Sequence, residues 1–435
     1  MLEKLFHLKA HNTTVQRELM AGLITFLALS YILIVNPKIL GLAGMDTAAL
    51  FTATALICAI STLLMAFIAN MPIVLAPALS ASTFFATTVV LTMGYSWQFA
   101  ITAVLIMGII FILLTVLNAW DYITKSIPKS LKLAIPAGIG LFITFIGLQN
   151  AGIVVAHERT IVAMGSFADK GMWVTLAGLF ITGALLARKF PGAILTGILA
   201  ASVIAWLLGL VEVPKTSLVS LPPGLAPIFA QFQWSQIFTL DMLIVVFTFL
   251  LLCSFDSIGT VIAISSKAGL TDKQGNFPQL KKALWANSLG TTIGAAFGMS
   301  PLVSFIESSA GVAAGGRTGL MAAGAAILFI LALFFAPLFL IIPVQAVAPA
   351  LIIVGLYMIS SILEVDFNDF SEALPAFLCM IIMPFTFSIA QGIFFGTLSY
   401  VLIKLMVGKY KDISPTLCVI TALFLLKIIA DMLVG

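Results

Sequence analysis

The chain alternates long apolar runs with short breaks carrying Gly, Pro or charge, and nearly every run is continuous rather than striped. Continuous runs of about 20 residues read as membrane-crossing helices, whereas barrel strands would alternate apolar and polar positions. Seven such segments come first, at 18–35, 48–69, 73–93, 99–119, 131–152, 173–187 and 192–210. A connection over 211–240 follows, holding Pro214, Pro222, Pro223 and Pro227. Seven more lie at 241–264, 283–299, 301–314, 319–342, 344–362, 373–390 and 392–407. A leftover stretch at 415–434 reads as a further span, a re-entrant segment or an interfacial helix.

Composition narrows the class. Of 435 residues, 61% are hydrophobic and only 9% charged, with a mean hydropathy of +1.19. A soluble domain carries about a quarter charged residues. Water-soluble enzymes, secreted disulfide scaffolds and nucleic-acid binders are therefore excluded, and the chain reads as an all-α polytopic membrane protein. Cys58, Cys253, Cys379 and Cys418 lie in apolar runs without metal-ligand spacing and read as reduced small hydrophobes. Residues 1–17 are polar and the first run is too long for a signal-peptide core, so no cleavable signal is expected.

Charge orients the segments. With a cytoplasmic N-terminus, all 21 Lys and Arg fall in inside segments except Lys38, Arg159, Lys170, Lys215 and, in the leftover stretch, Lys427. That is a strong positive-inside bias.

A weak repeat joins the halves. Thr25-Phe26-Leu27-Ala28-Leu29-Ser30-Tyr31 in span one resembles Thr248-Phe249-Leu250-Leu251-Leu252-Cys253-Ser254-Phe255 in span eight, with one insertion. Pro77-Ala78-Leu79-Ser80 in span three resembles Pro301-Leu302-Val303-Ser304 in span ten. Two seven-span halves must face opposite ways, because seven is odd. Inverted repeats with interrupted helices mark secondary transporters.

Chemistry concentrates at two acids. Asp256 and Glu307 are the acidic residues that sit well inside apolar runs, and no central His, Lys or Arg is available to pair with them. Burying a carboxylate in a membrane costs about 2.5–3.5 kcal/mol on insertion scales, which usually marks a site or a proton path. Pro77 and Pro301 each precede a Ser-rich stretch, predicting short extended segments in spans three and ten, with a helix restarting near Glu307 or Ser308. Two broken helices from opposite halves would aim N–H groups into one pocket. Gly315-Gly316-Arg317-Thr318-Gly319 lacks the P-loop pattern and reads as a tight cytoplasmic turn with an anchoring arginine.

The sequence also resembles the Azg-like purine permeases of the nucleobase–cation symporter family. The resemblance runs through Ala21-Gly22-Leu23-Ile24-Thr25-Phe26-Leu27, Val35-Asn36-Pro37 and Ala134-Ile135-Pro136-Ala137-Gly138-Ile139-Gly140. It is most specific in the block from Ile306-Glu307-Ser308-Ser309 to Gly316-Arg317-Thr318-Gly319, and continues at Met383-Pro384-Phe385-Thr386. It implies two inverted seven-span repeats. A core domain would hold 18–119 and 241–342, and a gate domain 120–210 and 343–408. These would be joined by 211–240 and flanked by a cytoplasmic 1–17 and an unassigned 409–435.

The same resemblance implies substrate binding at Glu307, Asp256, Phe84, Ser82, Thr260, Ile306 and Ser308, with Asp256 and Glu307 coupling protons. Span three departs from the family's Ala-Pro-Gly-Met-Gly-Leu-Asn-Ala. It reads Ala76-Pro77-Ala78-Leu79-Ser80-Ala81-Ser82-Thr83, so the shorter Ser82 stands at the asparagine position. Gln391 likewise stands where the family often has Asp or Asn.

The expected activity is purine nucleobase import, guanine or hypoxanthine first, by proton symport through the bacterial inner membrane. The adjacent N1–H and 2-amino donors of guanine suit a carboxylate. Adenine, xanthine or uracil are the alternative substrates. No cofactor beyond the coupling ion is expected, and a second copy of the chain is a candidate partner. An anion transporter of related fold fits less well, since two acids and no base mark the centre. An intramembrane aspartyl protease would need a second aspartate in its own motifs. A passive channel would differ from a symporter in ignoring a pH gradient.

Overall fold

The computed structural model describes residues 2–117, 128–211, 219–270 and 279–415, with scattered positions up to 425. Pro214, Lys125, Lys215, Lys273, Lys427 and most of 415–434 lie outside the described residues. The chain is mainly helical, as continuous apolar runs require. The helices are α1 (Leu2–Phe6), α2 (Val15–Leu29), α3 (Ile32–Gly41), α4 (Thr47–Leu64), α5 (Leu79–Thr83), α6 (Trp97–Val116), α7 (Lys129–Asn150), α8 (Lys170–Ala187) and α9 (Ala193–Leu207). They continue as α10 (Leu240–Ala268), α11 (Leu280–Ala296), α12 (Ser308–Ala313), α13 (Gly319–Ala332), α14 (Ala336–Leu340), α15 (Val344–Ile359), α16 (Phe370–Thr386) and α17 (Ile389–Met406).

Among the described residues, 8 helical stretches are long and apolar enough to cross a membrane. The other predicted segments are shorter or interrupted. The segment at 73–93 opens with strand β1 (Leu75–Pro77), then α5, then a π-helical run Phe84–Thr92. The segment at 301–314 opens with β4 (Leu302–Ser304) and closes with the short α12. A hairpin of β2 (Val154–His157) and β3 (Ile161–Met164), not read from the sequence, joins α7 to α8.

β1 and β4 pair antiparallel, with Leu75 opposite Ser304, Ala76 opposite Val303 and Pro77 opposite Leu302. The Ala78 N–H extends the ladder to the Pro301 carbonyl at 2.9 Å. All six strand residues are buried. Backbone that leaves the helix inside an apolar chain needs other hydrogen-bond partners, and these two segments supply them to each other.

The helices pack as two groups. In one, α13 lies against α2 and α4, α11 against α4 and α6, and α12 against α2. In the other, α7 lies against α15 and α16, α16 against α17, and α8 against α9 and α15. Close approach within the first group needs glycine. A Cβ on Gly22 would fall 2.6 Å from the Met321 carbonyl oxygen, and one on Gly311 only 2.1 Å from Thr25 Oγ1.

The Gly315–Gly319 turn is anchored as expected: Arg317 Nη1 donates to the Val312 and Gly316 carbonyls at 2.6 and 2.7 Å. Its other anchor was not expected. Glu18, at the edge of its apolar run, is fully buried and accepts from the N–H groups of Arg317, Thr318 and Met321 and from the Thr318 hydroxyl. Cys58, Cys253 and Cys379 are buried, as their apolar surroundings predict, but Cys418 is exposed.

Candidate functional site

The paired strands deliver α5 and α12 to the same depth, and a cavity of about 150 Å³ opens beside them. It is lined from the first helix group by Tyr31, Ala78, Leu79, Ser80, Asp256, Thr260 and residues Val303 to Glu307. Val354, Tyr357 and Met358 of α15 close it from the second group. A dry cavity of about 150 Å³ accommodates a benzene ring, so a small planar heterocycle matches the scale.

Glu307 is the residue just before α12, and its side chain makes no capping bond to that helix. Its Oε1 accepts from the Tyr31 hydroxyl at 2.7 Å, while its Oε2 is buried with no partner among the described residues. Tyr31 sits at the break between α2 and α3 and is 1% exposed, so its hydroxyl is aimed by packing. Asp256 lies mid-way along α10, and its Oδ2 accepts from the Ser80 hydroxyl at 3.0 Å. Ser304 Oγ, at the end of β4, is also buried without a partner among the described residues. Buried polar atoms normally find partners within the fold, and those left over mark places where something else supplies them. Here an unpartnered carboxylate oxygen and an unpartnered hydroxyl share one cavity.

Four sequence-nominated residues, Glu307, Asp256, Thr260 and Ile306, line the cavity. The other three stand behind its wall. Phe84 is fully buried and meets Phe249 edge-on, with centroids 5.1 Å apart. Ser82 donates to Asn36 Oδ1 at 2.6 Å and bonds Ser300 Oγ at 2.7 Å, tying span three to its neighbours. Ser308 Oγ accepts from the Val74 N–H at 3.0 Å and pins the strand pair. The N–H groups of Ser308, Ser309 and Ala310 bond back to Phe305, Ile306 and Glu307, so α12 does not offer them to the cavity.

Tyr31 and Tyr357 do not stand out in the sequence as site residues, while Ser80 and Ser304 appear there only as the matched ends of the Pro77 and Pro301 repeat segments. One signal exists for Tyr31: the internal repeat sets it opposite Phe255, the residue before Asp256. No group of three or more His, Cys, Asp or Glu able to hold a metal occurs among the described residues.

Comparison with known proteins decides the class. Residues 16–395 match the family described as the Permease family. The chain belongs to it. This permease is 41% identical over 429 residues to the adenine permease AdeP of Escherichia coli, covering 99% of this chain and 96% of that one. It is 41% identical over 430 residues to the guanine/hypoxanthine permease PbuO of Bacillus subtilis, covering 98% and 99%. The Azg-like purine permease resemblance holds, and the permease is an integral membrane transporter of a nucleobase permease family rather than an enzyme.

Solved structures place the fold. The transmembrane domain of the cyanobacterial bicarbonate transporter BicA superposes with a TM-score of 0.66 at 17% identity, covering 86% of the permease and 97% of that chain. SLC26A9 gives 0.64 at 12% identity, covering 90% of the permease and 65% of that chain.

Proposed function

We propose that this permease imports purine nucleobases by proton symport, with guanine and hypoxanthine as its first substrates. The observation that carries the reading is the free Glu307 Oε2 beside a Tyr31-held Oε1, in a cavity that also presents Asp256 and the unpartnered Ser304 hydroxyl. A carboxylate fixed at one oxygen and open at the other accepts the N1–H and 2-amino donors of guanine, or the N1–H of hypoxanthine. Ser304 donates its hydroxyl to a ring nitrogen or carbonyl on another edge. Tyr357 and Phe305 offer aromatic surface to a planar ring.

Asp256, joined to span three through Ser80, carries the coupled proton in this reading. The cavity wall comes from both helix groups, so rocking the first group, as core, against the second, as gate, opens it to each side in turn. The reading includes the inverted seven-plus-seven layout, a cytoplasmic N-terminus and residence in a bacterial inner membrane.

Adenine is the second reading, suggested by the relatives AdeP and AdeQ, which are adenine permeases at 41% and 42% identity. Its edge pairs an acceptor N1 with a donor amino group. It therefore suits a protonated Glu307, where guanine suits the carboxylate. Uptake of labelled guanine into proteoliposomes, competed by hypoxanthine, adenine, xanthine and uracil with and without an inward proton gradient, tests both. Gradient-driven uptake blocked by hypoxanthine supports the first reading, and blockade by adenine alone the second. Uptake indifferent to the gradient rules out proton symport.

A further inference from the structure

Behind the cavity wall runs a chain of polar side chains that the binding of base and proton leaves unused. Ser300, Ser82, Asn36 and Thr54 are fully buried, and none of them lines the cavity. A buried amide is costly unless its hydrogen bonds are made. Here they are. Thr54 gives its one proton to the Leu50 carbonyl at 2.7 Å, so it accepts from the Asn36 amide at 3.0 Å. That fixes Nδ2 towards Thr54 and Oδ1 towards Ser82, whose hydroxyl donates to it at 2.6 Å. With its own proton committed, Ser82 accepts from the Ser300 hydroxyl at 2.7 Å. Asn36 Nδ2 also reaches Met299 Sδ at 3.7 Å. The donors all point one way, from Ser300 through Ser82 and Asn36 to Thr54, and bonds so aligned strengthen one another.

This chain joins the segments that hold both acids. Ser82 sits two residues after Ser80, the partner of Asp256, within the five-residue α5. Ser300 precedes Pro301, whose carbonyl takes the Ala78 N–H at 2.9 Å, and β4 then leads to Glu307. Asn36 stands in α3, five residues beyond Tyr31, whose carbonyl takes the Val35 N–H at 3.0 Å. Tyr31 in turn holds Glu307. One carboxamide therefore ties together the segments that carry Tyr31, Ser80 and Glu307.

We propose that Asn36 is a positioning residue of the base site. It touches no substrate. It sets where the two broken spans cross, and so where the Glu307 and Asp256 side chains stand relative to one another. The inference rests on the reading that these two acids serve the base and the proton. The strands β1 and β4 pair over only three residues each, so backbone bonds alone place few constraints on the crossing. The side-chain chain through Asn36 supplies the rest, and it adds α3, which β1 and β4 do not bond. Breaking one link frees α3 to shift against α5, and Tyr31 then no longer aims the Glu307 carboxylate.

The test is initial-rate uptake of labelled hypoxanthine into proteoliposomes holding the full chain, with folded protein counted in each preparation. Asn36→Leu should raise KM about tenfold, the worth of one misaligned charge-assisted bond, with Vmax per folded molecule within about twofold of wild type. Thr54→Val, which removes one link at nearly constant shape, should raise KM about threefold, and Thr54→Ser should restore it. Combined with Tyr31→Phe, Asn36→Leu should give a total rise under about thirtyfold, where independent effects would multiply to about a hundredfold. A packing role alone would lower the yield of folded protein and leave KM unmoved. Wild-type KM in Asn36→Leu, or full multiplication with Tyr31→Phe, would overturn the proposal. Should Asn36→Leu not fold, Thr54→Val and Ser82→Ala decide, and wild-type KM in both overturns it. Glu307→Gln separates the two levels. If that variant transports like wild type, the reading of the site falls and this inference with it. A normal Asn36→Leu beside a defective Glu307→Gln overturns this inference alone.

Discussion

Two regions of the permease set carboxylates on or beside its long helices, and they treat them differently. At the ends of α16 and α17, Glu372 meets Lys404 Nζ at 2.6 Å, the Ser130 hydroxyl at 2.5 Å and the Tyr400 hydroxyl at 3.3 Å. Lys404, 1% exposed, also reaches Ser371 and Asp412. In the central cavity, among the described residues, Asp256 and Glu307 each have one hydroxyl partner and no cation, and Glu307 keeps an oxygen free. The first arrangement closes its hydrogen-bond needs within the protein. The second leaves them for something that enters. A paired carboxylate is a structural part, whereas an under-satisfied one at the meeting of two helix groups is, under the proposed function, where the base is received.

Exchanging the acids for neutral amides separates the regions most sharply. Glu307→Gln and Asp256→Asn are each expected to cut purine uptake by about a hundredfold or more, the cost of removing one partner from a buried charged contact, with unfolding midpoints near wild type. Initial uptake rates and thermal melts on the same preparations check this. In the paired region the pattern reverses. Lys404→Met should cost about 2 kcal/mol of stability, below the range for fully buried pairs because Glu372 keeps two hydroxyls and some solvent. Uptake per folded molecule should be unchanged, and adding Glu372→Leu should recover part of the loss. An uptake defect that survives correction for folded protein would break the distinction.

Smaller effects probe the hydroxyl partners. Tyr31→Phe and Ser80→Ala should each weaken uptake by about tenfold, one charged hydrogen bond, with Tyr31→Phe acting on KM and Ser80→Ala on the pH dependence. The smallest effect is expected at Asp369, outside the spanning helices. The Lys409 ammonium and the Ser371 hydroxyl and N–H hold its carboxyl well below the usual range. A depressed carboxyl contributes stability above its ordinary pKa and loses it as pH falls through the lower folded value. Asp369→Asn should therefore lower the midpoint slightly and evenly from neutral down to about pH 4, with the difference vanishing only in stronger acid.

Much of this architecture is legible in the sequence, for identifiable reasons. Continuous apolar runs locate the helices, and Pro77 and Pro301 locate both interruptions, because a break in an apolar helix is visible in one dimension. Asp256 and Glu307 stand out because a carboxylate inside an apolar run is costly to insert and is kept there for a use. Their partners do not stand out. Tyr31 and Glu307 are separated by 276 residues, and Ser80 and Asp256 by 176. A hydroxyl in an apolar helix usually bonds its own turn, as Thr25 and Thr54 do here. Phe84 and Ser82 have residue types suited to a site, yet Phe249, Asn36 and Ser300 hold them in the packing. Glu18 is hidden at the edge of its run, because burial there depends on the turn at Gly315 folding back over it.

The central claim is that Glu307 itself receives the base. Equilibrium binding of labelled hypoxanthine to the purified permease, to Glu307→Gln and to Lys404→Met tests it without the complications of transport. The account predicts that Lys404→Met binds like wild type per folded molecule while Glu307→Gln binds about a hundredfold more weakly. Binding by Glu307→Gln within about twofold of wild type, less than a single hydrogen bond is worth, would contradict it.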